Sequence, residues 1–172
     1  MTRTKIRIRK ATVDDAPELH DLIRQAMAVY AEQSGIETPL DAQMETREDL
    51  VRHLQEDQVL VAVLHDQLAG TVRLVRLDDQ TAYFCRFAVL PGYQRSGVGQ
   101  MLNQAAENWL ADQGFTSVIL HTALTNAPLV SFYRLRGFEL VETHESRGYP
   151  RGTFAKKLLP HGNQPNGDQP SG

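Results

Sequence analysis

One stretch constrains this chain more than any other: Phe87-Ala-Val-Leu-Pro-Gly-Tyr-Gln-Arg-Ser-Gly-Val-Gly99. Before it, Thr81 to Val89 is rich in aromatic and apolar residues and reads as a buried strand, which Pro91-Gly92 ends as a turn. After it, Val98, Met101, Leu102, Ala105, Ala106, Trp109 and Leu110 recur at helical spacing. Gly97 and Gly99 therefore stand at a strand-to-helix junction, at the positive end of the helix. Unpaired N–H groups and the macrodipole favour an anion there. A residue without Cβ would let a phosphate approach the backbone closely.

The residues narrow the choice of phosphate. A nucleoside-triphosphate loop needs a lysine after its last glycine, and Gln100 follows Gly99. The dinucleotide fingerprint needs a third glycine where this chain has Leu102. What remains, Gln94-x-x-Gly97-x-Gly99 after a strand, resembles the acetyl-CoA pyrophosphate loop of the GNAT superfamily of N-acetyltransferases, whose pattern is Gln/Arg-x-x-Gly-x-Gly/Ala. A second segment, Asn126-Ala-Pro-Leu-Val-Ser-Phe-Tyr-Arg-Leu-Arg-Gly-Phe138, resembles the late motif of the same family. Its Phe132-Tyr133-x-x-x-Gly137-Phe138 matches throughout, and the two motifs follow in the family's order.

The rest of the chain is read from its periodicity. Ile6 to Arg9 alternates apolar and basic residues, as a half-exposed strand does. Thr12 can cap a helix with the stripe Leu19, Leu22, Ile23, Ala26, Met27 and Tyr30, broken by Ser34-Gly35. Ile36 to Glu45 reads as a connection, and Thr46 with Asp49 opens a second helix carrying Leu50, Val51 and Leu54. From Val59 the period becomes that of strands: Val59–Leu64, Leu68–Leu77 and Thr81–Val89, separated by short polar turns. Gly114 ends the long helix, and Ser117–Thr122 reads as a strand parallel to the third of that meander, through a right-handed crossover. Asn126 and Pro128 start a helix over Leu129–Leu135, closed by Gly137. Phe138–Glu142 and Thr153–Leu159 are expected as closing strands around a loop from Thr143 to Gly152.

The order β-α-α-β-β-β-α-β-α-β-β is also the family's. It implies a mixed α/β single domain over residues 1–159: a mostly antiparallel central sheet with one parallel strand pair and helices on both faces. The Gly-, Pro-, Asn- and Gln-rich segment 160–172 is expected to be a disordered tail.

The resemblance also implies a site. Acetyl-CoA would lie between the third meander strand and the strand ending at Thr122. Its pantetheine would pair with backbone groups of Phe87, Ala88 and Val89 like an added strand. Its pyrophosphate would meet the N–H groups of Gln94, Arg95, Ser96, Gly97, Val98 and Gly99, with Gln100 just beyond. Asn126 would contact the cofactor arm, cap its helix, or both. Tyr133 would protonate the departing thiolate; its alternative role is to pack on the sheet. The expected acceptor walls are Tyr30–Glu45 and Arg147–Arg151, the latter also allowing a homodimer contact.

No carboxylate lies in Thr81–Val89, where many family members carry a glutamate base, and Arg86 is the only charged residue there. His121, His144, Glu142, Glu145 or a water chain remain candidates for the general base. The lone cysteine, Cys85, could carry an acyl group, but no acid or base neighbours it in sequence, so it reads as core. One cysteine excludes an internal disulfide and a cysteine zinc cluster, and no metal is expected. A net charge of -3 gives no reason to expect nucleic acid or an anionic membrane as partner. No apolar run approaches the ~20 residues of a membrane span, nor is there an apolar signal core after Met1, so a reducing cytoplasm is the expected setting. The expected activity is acetyl transfer from acetyl-CoA to a primary amine of a small molecule or protein. The rival is an acyl-CoA-binding sensor or scaffold.

Overall fold

Capping and period changes in the sequence mark most element ends in the computed structural model, which describes residues 5–159. Strand β1 (Arg7–Lys10) leads through a single 3-10 turn into helix α1 (Ala16–Ser34). Gly35, with φ 70°, terminates α1 in the left-handed conformation. Helices α2 (Asp41–Met44) and α3 (Arg47–Glu56) follow. The start of α3 is a capping box: Thr46 Oγ1 accepts from Asp49 N–H at 3.0 Å, and Asp49 accepts from Thr46 N–H at 3.1 Å. Strands β2 (Gln58–Leu64), β3 (Gln67–Arg76) and β4 (Thr81–Val89) form an antiparallel meander. Helix α4 (Val98–Asp112), strand β5 (Ser117–Ala123), helix α5 (Ala127–Leu135) and the hairpin β6 (Glu139–His144) and β7 (Arg151–Lys157) complete the chain.

The strands join in one sheet in the order β1-β2-β3-β4-β5-β7-β6, in which only β4 and β5 run parallel. One face carries α4, whose Val98, Leu102, Ala106 and Leu110 pack with Phe84, Val118, Phe138 and Phe154. The other carries α1 and α3, through Leu19, Leu22, Ile23, Leu50 and Leu54 against Val59, Val61 and Val63. Each fully buried leucine or valine of these layers contributes on the order of 1.5–3 kcal/mol. The sheet and its two apolar faces match the expected fold class. The predicted tail 160–172 and the first four residues of the predicted domain lie outside the described residues.

Three details differ from the sequence reading. The expected connection contains α2, one helical turn too short to show a period; Gln43 reaches back to Leu40 N–H at 2.9 Å to hold it. Met101, expected in the buried stripe of α4, is 40% exposed, because that stripe leans toward Asn103 and Ala111 instead. Asn103 enters with its amide donating to Glu107 at 2.7 Å. Strand β6 runs on to His144 and β7 begins at Arg151, which makes His144 and Arg151 cross-strand partners.

The decisive irregularity is in β4. Thr71 pairs with Ala88 and Arg73 with Cys85, so β4 contains one residue more than β3 between them. Arg86 takes up the extra residue with φ 50°, a left-handed conformation for a residue with a side chain. Because side chains alternate, one added residue flips the phase. Before the bulge Ala82 and Phe84 face the α4 layer; after it Phe87 and Val89 do, and Ala88 turns to the α1 layer.

Candidate active site

The bulge coincides with a split in the sheet. Strands β4 and β5 pair only over Thr81–Tyr83 and Ser117–Ile119, so beyond Tyr83 they diverge. Residues Phe87, Ala88 and Val89 therefore present a strand edge with no β5 partner, which an extended ligand with amide groups can complete. On the opposite side of the split, Ala123 N–H donates to Tyr30 Oη at 2.8 Å, so α1 satisfies the end of β5.

The open edge runs into the loop before α4. Gln94, Arg95, Ser96 and Gly97 are exposed, and Arg95 has a left-handed φ of 66°. Ser96 Oγ donates to Tyr93 O and lies 3.4 Å from Val98 N. The N–H groups of Gly97, Gly99 and Gln100 find no hydrogen-bond acceptor among the described residues. These are the orphan donors of a helix start, and Gly97, the residue preceding α4, offers no side chain to cap them.

The two glycines do different work. A Cβ on Gly97 would meet nothing within 4 Å, so the space above it is open, but its φ of 91° disfavours any side chain. A Cβ on Gly99 would lie 3.2 Å from the Phe87 ring, so that glycine makes room for Phe87 and Phe132. We expect Gly97→Ala to lower stability by about 1–2 kcal/mol through backbone strain alone. Chemical denaturation measures this, and an unchanged midpoint would mean that the loop relaxes freely.

A cavity opens where β4 and β5 part, lined on one side by Tyr83, Phe84, Cys85 and Arg86, and on the other by His121 and Thr122. Tyr133 closes its floor from α5, with its ring edge-on to Phe84 (centroids 6.1 Å, 90°) and to Phe138 (5.7 Å, 72°). It is 4% exposed, so it packs on the sheet and lines the cavity at once; burial pushes its phenol pKa up.

Of the four candidate bases, three fall into one chain. Thr153 Oγ1 lies 2.9 Å from His121 Nδ1 and 2.9 Å from His144 Nε2, and His144 Nδ1 is 3.8 Å from Glu142. Only His121 lines the cavity, where it sits 5.3 Å from the Tyr83 ring. Burial, then the positive charge of Arg151, hold its pKa below the ordinary histidine value. Glu145 is exposed and outside this chain. Cys85 lines the cavity as a neutral thiol, since burial pushes its pKa up to about 11.

Asn126 is not on the cavity wall. It is 3% exposed; its Oδ1 accepts from Leu129 N–H at 3.2 Å and its Nδ2 donates to Ser34 Oγ at 3.2 Å. It caps α5 and ties it to the end of α1. Both expected acceptor walls border the cavity, through Tyr30, Leu40 and Asp41 on one side and Arg147, Tyr149 and Arg151 on the other. Tyr83, Arg86 and Thr153 were not singled out as site residues by sequence. For Tyr83 the available signal was alternation in Thr81–Cys85; nothing local announces the bulge that turns Arg86.

Among the described residues no group of three or more His, Cys, Asp or Glu could hold a metal ion. No helix among them is long and apolar enough to cross a membrane.

The sequence profile described as the acetyltransferase (GNAT) family matches residues 19–138. Two curated relatives are similar over a shorter span. The probable N-acetyltransferase san of Drosophila melanogaster is 30% identical over 89 residues, 49% of this chain and 48% of that protein. N-alpha-acetyltransferase 50 of Danio rerio is 32% identical over 91 residues, 50% of this chain and 54% of that protein. The chain thus spans about half the length of the curated relatives it matches. Among solved structures, the PaiA N-acetyltransferase of Thermoplasma acidophilum, in complex with coenzyme A, superposes with a TM-score of 0.77 at 21% identity, over 89% of this chain and 99% of that one. The ribosomal-protein-S18-alanine N-acetyltransferase of Escherichia coli superposes with a TM-score of 0.75 at 16% identity, over 94% and 99%. At these identities the two structures establish a shared fold.

Proposed function

The chain belongs to the GNAT acetyltransferase family, and from that premise we propose that it transfers an acetyl group from acetyl-CoA to a primary amine by direct attack, with Tyr133 as the acid and His121 as the base. The observation that carries this reading is the open β4 edge, running without interruption from the cavity into a loop of free N–H donors. The relatives are named as N-acetyltransferases, and one structural neighbour holds coenzyme A. When bound, acetyl-CoA supplies an acetyl group activated as a thioester.

The chain's own residues supply the rest. Backbone groups of Phe87, Ala88 and Val89 complete a ladder with the pantetheine amides, and the N–H groups around Gly97 and Gly99 meet the pyrophosphate. His121 is kept neutral by its buried, cationic surroundings, so it can accept a proton from the ammonium form of the acceptor. With its own proton on Nδ1 toward Thr153, Nε2 keeps the lone pair. Thr153 and His144 then offer a hydrogen-bonded way out. Tyr133 Oη retains its proton at any physiological pH and can give it to the leaving sulfur. The acyl-CoA sensor has less support, since binding alone requires neither a neutral histidine nor a buried phenol beyond the cofactor edge.

Acetyl-CoA at ~100 times its Kd should add ~2.7 kcal/mol to stability, and thiol release should appear with an amine acceptor. Loss of rate in acid should follow the protonation of His121, below the ordinary histidine value, and His121→Gln should abolish that limb. An unchanged unfolding midpoint, with no acetyl-CoA binding by calorimetry, would sink the proposal. An acidic limb retained in His121→Gln would remove His121 as the base.

A further inference from the structure

The cavity carries a charge opposite to that of the chain. The chain's net charge is -3, yet Arg86, Arg147 and Arg151 line the cavity with a single carboxylate, Asp41. Arg147 is taken by Asp41 at 2.7 Å. Arg86 stands 4.0 Å from Glu45, but both oxygens of that carboxylate are already held by Arg73 at 2.8 and 2.9 Å. Arg151 makes no ion pair among the described residues. Two arginines that line the cavity, Arg86 and Arg151, thus have no carboxylate to themselves, and the Nε of Arg86 is buried with no hydrogen-bond partner. Arg86 is held there by a strained backbone at φ 50°. A buried donor left unmade is costly, so a ligand that supplies the acceptor gains from it.

We propose that the acceptor is a small amino acid, an amine whose own carboxylate is read by Arg86 and Arg151. This rests on the acetyltransferase reading and names its substrate class. Register sets the span: His121 pairs with Thr153 and Ala123 with Arg151, so the two pairs lie two residues apart on one sheet face. That separates them by about 7 Å along the strands, the scale of a short amino acid between its base and its carboxylate clamp. The bidentate geometry of a guanidinium suits a carboxylate. A polyamine would bring more positive charge into a cavity that already has an excess. The Asp41–Arg147 pair joins α2 to the β6–β7 loop across the rim, with both side chains exposed, which favours a small molecule over a polypeptide N-terminus.

The test measures acetyl-CoA turnover by thiol release against α- and β-amino acids, the carboxamide of each, 1,4-diaminobutane, and short peptides with aspartate or glutamate second. At least one amino acid should exceed its carboxamide by tenfold or more in kcat/KM, although the amide's less basic amine is intrinsically easier to use. Arg151→Gln and Arg86→Gln should each collapse that ratio toward one, mainly through KM, with acetyl-CoA affinity unchanged; Arg151→Lys should restore part of it. Calorimetry of the preferred amino acid into the protein saturated with coenzyme A should lose its heat in the Gln variants. Turnover of amines without preference for the carboxylate, or preference for the diamine or the acidic peptides, overturns this inference alone. Absence of acetyl-CoA binding, or of transfer to any amine, overturns the acetyltransferase reading and this inference with it.

Discussion

Tyr133→Phe should lower kcat by roughly 10²–10⁴, the usual worth of a positioned proton donor. The ring is what packs: it contacts Phe84, Phe87, Phe132 and Phe138, and phenylalanine keeps all of that surface. Stability should therefore change little. Acetyl-CoA affinity should also hold, because the hydroxyl matters most as charge develops on sulfur, and the loss should fall on kcat. Burial raises the phenol's pKa, which taken alone makes it a weaker acid. The same dry surroundings raise the cost of a free thiolate, so the transfer remains matched. Full kcat in the variant, with chemistry shown to be rate-limiting, would reduce Tyr133 to a packing residue.

Glu45→Ala should destabilise the fold by about 3–5 kcal/mol, because it strands a buried cation. Arg73 is 3% exposed and is held in a bidentate pair by Glu45 alone, while Arg86 and His53 stand 4.0 and 3.7 Å from the same carboxylate. Replacing both partners by apolar residues of similar volume should recover much of the loss, since no charge is then left unpaired. The pair also predicts acid sensitivity. Burial pushes the Glu45 carboxyl up, but hydrogen bonding and the charge of Arg73, with Arg86 and His53 behind it, carry it below its ordinary 4.5. A depressed carboxylate contributes stability above its unfolded value and loses it as pH falls through the folded one. Denaturant titrations of wild type and Glu45→Gln between neutral pH and pH ~3 should converge in acid. A Glu45→Ala midpoint equal to wild type would show that water solvates Arg73.

The sequence carried unequal parts of this picture. Strand β4 has the bounds expected from its composition, and the capping box at Thr46 opens α3 as expected. The motif around Tyr133 points to the residue that the structure brings to the cavity floor. Asn126 shows the limit of motif reading, since its cap on Leu129 N–H could be expected from sequence but its bond to Ser34, 92 residues away, could not.

By itself the sequence determined the order of elements apart from the one-turn α2, the parallel β4–β5 pair, the glycine-opened helix and the family. All of these rest on signals within a few residues: period, caps, turns and contiguous motifs. Only the tertiary structure decided which candidate base borders the cavity, what Glu45 neutralises and what charge the cavity carries. The reason is distance along the chain. Thr153 meets His121 from 32 residues away, Arg73 meets Glu45 from 28, and Arg147 meets Asp41 from 106. Such meetings depend on strand register, and one inserted residue at Arg86 was enough to turn the following side chains to the opposite face.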